Sequence, residues 1–160
     1  MIKLIQLLKE VTVVGYRGDL AQTDIGKFDR DLVFFTKDSN VAKTFGKHIT
    51  KAKITFTNPF TIKNADSWGD VPVGEIFDAD TVFDIVKFAF GPDTYTSLED
   101  YYEGENEREP ISIDVVAKYL NKNTNYDGII AHNIDEGPLR LRTTIYIVFI
   151  NKNHNGIHEI

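Results

Sequence analysis

The sequence predicts an α+β domain in which helices sit between the strands of mixed or antiparallel sheets, and three observations carry that expectation. Strand and helix periodicities follow one another without the regular strand-helix-strand beat of a parallel α/β sheet. No strand runs into a G-x-G-x-x-G turn, which removes a dinucleotide site of the Rossmann kind. With 160 residues and 42% hydrophobic content, the chain can fill one core but not two comfortable ones, so residues 1–160 are expected to form a single domain.

Leu4, Leu7, Leu8 and Val11 follow the i, i+3, i+4, i+7 spacing of an amphipathic helix over residues 2–10. Thr12 to Tyr16 is strand by its β-branched residues, with a glycine at Gly18. Asp19 to Asp31 is polar and contains Gly26, so it reads as a loop. Leu32 to Thr36 is strand-prone; Asp38 or Ser39 then caps a short helix carrying Val41, Ala42 and Phe45, which stops at Gly46. Lys51 to Thr57 alternates strictly, turning Ala52, Ile54 and Phe56 inward until Asn58-Pro59 ends the strand. Trp68 to Pro72 reads as irregular chain. Ala79, Val82, Phe83, Val86, Ala89 and Phe90 keep helical spacing up to Gly91-Pro92. Residues 93–110 are loop-like. Ile113, Val116, Ala117 and Leu120 form a second helix, followed by a polar turn at 121–125. Tyr126 to Asn133 and Leu139 to Ile150 are the closing strands. Asp127-Gly128 makes a turn or bulge at the first of them, and 134–138 form the loop between them. Residues 151–160 read as a frayed polar tail.

The net charge of −6 is unevenly spread. Residues 65–110 form an acidic helical and loop insert with thirteen acids against Lys87 and Arg108, a net of −11, which leaves +5 for the remainder. A mildly basic body suits an anionic ligand. The acidic segment repels nucleic acid, so direct nucleic-acid binding is not expected; it either attracts a basic partner or is a solvated face. The absence of cysteine excludes disulfides, thiolate metal sites and a cysteine nucleophile. His48, His132, His154 and His158 offer no helical ligand pair, since the last two flank Gly156, and no metal is expected. Residues 1–10 are too short and charged for a secretory signal, and no apolar run approaches the roughly 20 residues of a membrane span. A cytoplasmic location away from membranes is the expectation.

Tyr16-Arg17-Gly18, then Phe34-Phe35-Thr36 with Ala42 and Phe45 spaced behind it, resembles the nicotinamide-binding half of the ADP-ribosyltransferase fold. In that family a His-Gly or Arg-Gly step ends the first strand, and an aromatic-aromatic-small triplet leads into a helix with a small residue and an aromatic. Tyr126 to Ile130 and Thr144 to Phe149 are similar to its closing strands. The small transferase domains of phage polyvalent proteins are the nearest look-alikes. The resemblance implies two small mixed or antiparallel sheets flanking an NAD cleft, with NAD as substrate, and a host-cytoplasmic setting if the source is viral.

It also implies roles. Gly18 would reach the nicotinamide carboxamide with its backbone, although the bare sequence also reads it as a turn glycine. Arg17 would bond ribose or phosphate oxygens; a surface arginine is its ordinary alternative. Phe34 would stack on the ring, with Tyr16 and Phe35 also among the NAD contacts; adjacent strand residues take opposite faces, so one phenylalanine faces the cleft and the other is core, and core packing is the alternative for Phe34 as well. Thr36 and Ala42 would be small walls and Phe45 a second ring, where plain core packing is the other reading. The family's glutamate before the closing strand is absent, because Ile145 stands there. Asp135 or Glu136 would then be the substitute catalytic carboxylate beside Arg17, unless both are a solvated loop pair.

Cleavage of the nicotinamide bond makes a cation-like sugar, so a carboxylate and an aromatic cleft are the chemistry to look for. The expected activity is mono-ADP-ribosyl transfer from NAD to a macromolecular acceptor, in the first place a protein. Two alternatives stand beside it. One is an inactive binding module that grips a basic partner through Glu103, Glu105 and Glu107. The other is an NAD glycohydrolase.

Overall fold

The computed structural model describes residues 10–20, 30–103, 108–136, 139–153 and 155–160. Residues 2–9 of the expected first helix, most of the 19–31 loop, and Glu105, Glu107, Gly137, Pro138 and His154 lie outside the described residues.

In chain order the elements are β1 (Val11–Asp19), β2 (Leu32–Thr36), α1 (Ser39–Lys43), β3 (His48–Phe56), β4 (Pro59–Ile62) and β5 (Asp66–Ser67). Four helices follow, α2 (Val73–Ile76), α3 (Ala79–Phe90), α4 (Leu98–Glu103) and α5 (Ile113–Asn123). The chain closes with β6 (Gly128–Glu136), β7 (Leu141–Phe149), α6 (Ile150–Asn153) and β8 (Ile157–Glu159). Helix starts sit where the sequence places caps. Asp38 accepts from the Asn40 N–H at 2.8 Å, Asp78 from Thr81, and Ser112 from Val115. Gly91, at φ 103, ends α3 in a conformation that residues with a side chain rarely adopt.

The strands join into one open mixed sheet in the order β4-β6-β7-β2-β1-β3-β8, with β5 also paired to β6. β4 and β5 run parallel to β6, and every other pair is antiparallel. The α+β class is as expected, but the hydrogen bonding is continuous where two sheets were anticipated.

That sheet cannot be flat. β3 and β4 are five spacings apart in strand order, about 24 Å in a planar sheet. Only Thr57 and Asn58 link them, and three Cα steps reach about 11 Å at most. The sheet therefore folds over itself. Its inner, strand-lined cluster draws Val33 and Phe35 from β2, Ala52, Ile54 and Phe56 from β3, Ile130 from β6, Tyr146 and Val148 from β7, and Ile157 from β8. The other face is covered by helices: Val82, Ile85 and Val86 of α3 and Val116, Ala117 and Leu120 of α5 pack over Ile129, Ala131, Ile145, Ile147 and Phe149. Full burial of each Val or Ile contributes roughly 1.5–3 kcal/mol. The acidic segment thus presents an apolar underside to the sheet.

The tight β3–β4 corner is tied by Asp127, which is buried at 4% exposure. Its carboxylate accepts from the Thr57 N–H (2.7 Å), the Thr57 hydroxyl (3.1 Å) and the Asn58 N–H (3.0 Å). Asp127→Ala strands these donors, and a loss of about 2 kcal/mol in urea unfolding is expected.

Several expectations change. β1 continues past Tyr16 through Gly18 to Asp19. Residues 93–110 contain α4, anchored by Tyr101, whose hydroxyl donates to the Glu109 carbonyl at 2.6 Å. β4 and β5 occupy chain that carries no strand-length pattern. Ile134 to Glu136 belong to β6, not to a loop. The tail expected to fray holds α6 and β8, because Ile157 is buried and pairs with Ile54 across β3.

Candidate active site

β1 and β2 share a single register pair, Tyr16 with Thr36. Continued pairing would set Arg17 against Phe35 and Gly18 against Phe34. Instead β1 follows β3 along its whole length, and β2 follows β7 from Leu32 to Thr36. Strands held firmly by their outer neighbours and only once by each other diverge past that pair. The wedge between them is a cavity of about 170 Å³.

Its first lip is Tyr16, Arg17 and Gly18, its second Phe34, Phe35 and Thr36, and Ala42 and Phe45 of the following segment close it together with Trp68 and Glu136. All eight residues taken from the resemblance as NAD contacts line this one cavity. Their side chains do not contribute alike. Phe35 is 1% exposed in the strand-lined core and Ala42 is fully buried, whereas Phe34 turns to the opposite face and packs on Trp68 at 5.1 Å between ring centroids. Strand alternation separates the two phenylalanines in this way. Phe45 stays 43% exposed at the rim.

Gly18 is needed for close approach. A Cβ there would stand 1.9 Å from the Ala42 carbonyl oxygen, so glycine lets α1 dock against β1. Arg17 reaches across the wedge: its Nη1 donates to the Phe34 carbonyl at 3.3 Å and its Nε to the Asp19 carboxylate at 3.0 Å.

Glu136 is the chemically distinctive group. It is 5% exposed, and its Oε2 has no hydrogen-bond partner among the described residues. Burial pushes its carboxyl up to about 7, opposed by a hydrogen bond from the Thr36 hydroxyl. Thr36 also accepts from the Asp38 N–H at 3.3 Å, which fixes the hydroxyl beside the cavity. A carboxyl poised to ionise near neutrality, next to an apolar wall, is an arrangement found at reacting centres.

Asp135, the other candidate, lies apart. It borders an adjoining cavity of about 430 Å³ and pairs with Arg142 Nε at 3.0 Å. This second space shares Phe45 and Trp68 with the first and adds Ser67, Gly69 and Arg140. Ile145 is wholly buried among the helix-covered residues.

Trp68 escaped the sequence reading. It is the chain's single tryptophan, but no local pattern places it. The parallel pairing of Asp66 with Ile134 and Ser67 with Asp135 delivers it beside Glu136. Among the described residues no group of three or more His, Asp or Glu side chains could hold a metal ion, and no helix is long and apolar enough to cross a membrane. The chain matches no family model, no curated protein and no solved structure.

Proposed function

We propose that this protein is a mono-ADP-ribosyltransferase that takes NAD as donor and modifies a protein acceptor. The observation that carries the reading is convergence: eight residues between Tyr16 and Phe45, chosen by resemblance alone, line one cavity that a buried carboxyl also enters. The protein's cavity is then a transferase-type cleft between two half-sheets, a reading supported by the bend of the sheet and by the one-pair seam between β1 and β2.

In this reaction the bond from the nicotinamide nitrogen to the ribose breaks, its electron pair returns to the ring, and the sugar carbon gains positive charge until an acceptor lone pair bonds to it and the acceptor gives up its proton to solvent. Phe34 and Trp68 offer the ring an apolar wall, and ionised Glu136 steadies the sugar's charge. The inner cavity suits a single ring. The rest of a dinucleotide needs the adjoining space, where Arg140 supplies a cation for its phosphates. Glu136 takes the part that Ile145 cannot fill. Hydrolysis is the outcome when water replaces the acceptor.

A second reading has its own support. Asp78, Asp80, Asp84, Glu99, Asp100 and Glu103 lie on the outer side of the acidic segment, which fits a basic partner gripped without chemistry.

Calorimetric titration of NAD into the wild type and Phe34→Ala tests the first reading. The wild type is expected to bind, and loss of the ring contact should weaken affinity about tenfold. Absence of wild-type binding at millimolar NAD would overturn it in favour of the acidic face.

A further inference from the structure

We infer that Asn133 and Arg142 are positioning residues: together they hold a bulge in β6 that presents Glu136, and not Asp135, to the inner cavity. The inference rests on the reading of Glu136 as the carboxylate of the site.

Up to Ala131, β6 pairs one for one with β7, so that Ile129 faces Ile147 and Ala131 faces Ile145 on the helix-covered side. Had this continued, Asn133 would oppose Thr143 and Asp135 would oppose Leu141, again on that side. Glu136 would then point to the other face. The observed pairs are Ile134 with Thr143, Asp135 with Arg142 and Glu136 with Leu141. His132 and Asn133 together stand opposite Thr144, and that one extra residue exchanges the two acids.

The bulge has a visible clamp. Asn133 sits at φ 52, in the left-handed region that asparagine tolerates and β-branched residues avoid. Arg142 Nη1 donates to the Asn133 side-chain oxygen at 3.0 Å and to its carbonyl at 3.4 Å. Asn133 Nδ2 donates to Asn64 Oδ1 at 2.8 Å. The same guanidinium pairs with Asp135 at 3.0 Å and with Asp66 at 3.3 Å. One side chain therefore grips the bulge and holds the competing acid toward the adjoining cavity, outside the lining of the inner one. Ile134, fully buried, anchors the same register from the core side.

The test uses full-length protein without NAD. Carboxyl carbon NMR follows the titration of Glu136, assigned by its disappearance in Glu136→Gln, in the wild type, Asn133→Gly, Asn133→Val and Arg142→Ala. Glycine adopts positive φ freely, so Asn133→Gly should titrate near 7, like the wild type. Asn133→Val and Arg142→Ala should move Glu136 toward its ordinary value of 4.5. Emission of Trp68, the single tryptophan, should change in those two variants and not in Asn133→Gly. Titration near 7 in a folded Asn133→Val overturns the inference. Should that variant fail to fold, the same result in Arg142→Ala overturns it. Movement as expected in a protein that binds no NAD would uphold the clamp and remove the transferase reading; NAD binding with an unmoved titration would do the reverse.

Discussion

Glu136→Gln is expected to give a protein that is more stable than the wild type above pH 7 and, on the transferase reading proposed above, inactive. Burial holds the native carboxyl at about 7 against an ordinary value of 4.5. Between those two values the folded state keeps a proton that the unfolded chain has released. Stability therefore falls as pH rises through that window and levels off above it. The difference corresponds to about 3 kcal/mol, the cost of carrying a buried, half-satisfied carboxylate. Glutamine has nearly the same shape and no charge. Its variant should match the wild type near pH 4 and melt roughly 6–12 °C higher at pH 8.

Activity should move the other way. A neutral amide cannot balance charge on a sugar cation, and removing a group of this kind costs roughly 10²–10³ in rate. Stability gained where activity is lost marks a residue kept for chemistry. Thermal unfolding at pH 4, 6 and 8 and nicotinamide release from NAD are the two measurements. Identical pH profiles for variant and wild type would remove Glu136 from the site whatever the kinetics.

How much of this was legible depended on how far each interaction reaches along the chain. β2 and α1 announce themselves through a strand-prone run and an aspartate cap within twelve residues. α3 and α5 show their buried stripes at helical spacing. The inner cavity was legible too, because its lips come from two neighbouring segments. What remained hidden is set by distant pairing. β8 is three residues long and is strand only because the edge of β3 is available to it. Trp68 reaches the cavity through β5, a two-residue strand with no pattern of its own. Asp135 and Glu136 could not be told apart, since the bulge at Asn133 exists only against β7. Periodicity reports the face a residue takes in a regular strand; one inserted residue reverses it.

Gly18→Ala should be among the most damaging single-methyl changes in the chain. Ordinary contact between a carbon and a carbonyl oxygen begins near 3.3 Å, and the added Cβ would lie 1.9 Å from the Ala42 oxygen and 2.8 Å from the Ala42 carbonyl carbon. Neither side gives easily. β1 is paired with β3 on both sides of Gly18, and Ala42 is fully buried in a short helix followed three residues on by Gly46, itself pressed on the Asp19 backbone. α1 must back away by more than an ångström, taking the Ala42 and Phe45 walls with it. Overpacking of this kind costs about 3 kcal/mol or more.

Gly69→Ala provides the contrast. That glycine borders the adjoining cavity, a Cβ added to it would meet nothing within 4 Å, and its substitution should change stability by less than about 0.5 kcal/mol. Urea unfolding of both variants separates a tight helix-strand contact from a general intolerance of substitution near the cleft. An unchanged midpoint for Gly18→Ala would mean that α1 is not seated on β1 as described. Because α1 carries Ala42 and leads into Phe45, NAD binding, on the proposed reading, should fall together with stability in Gly18→Ala and persist in Gly69→Ala. That joint loss makes Gly18 a determinant of the cavity's width before any contact its backbone makes with a ligand.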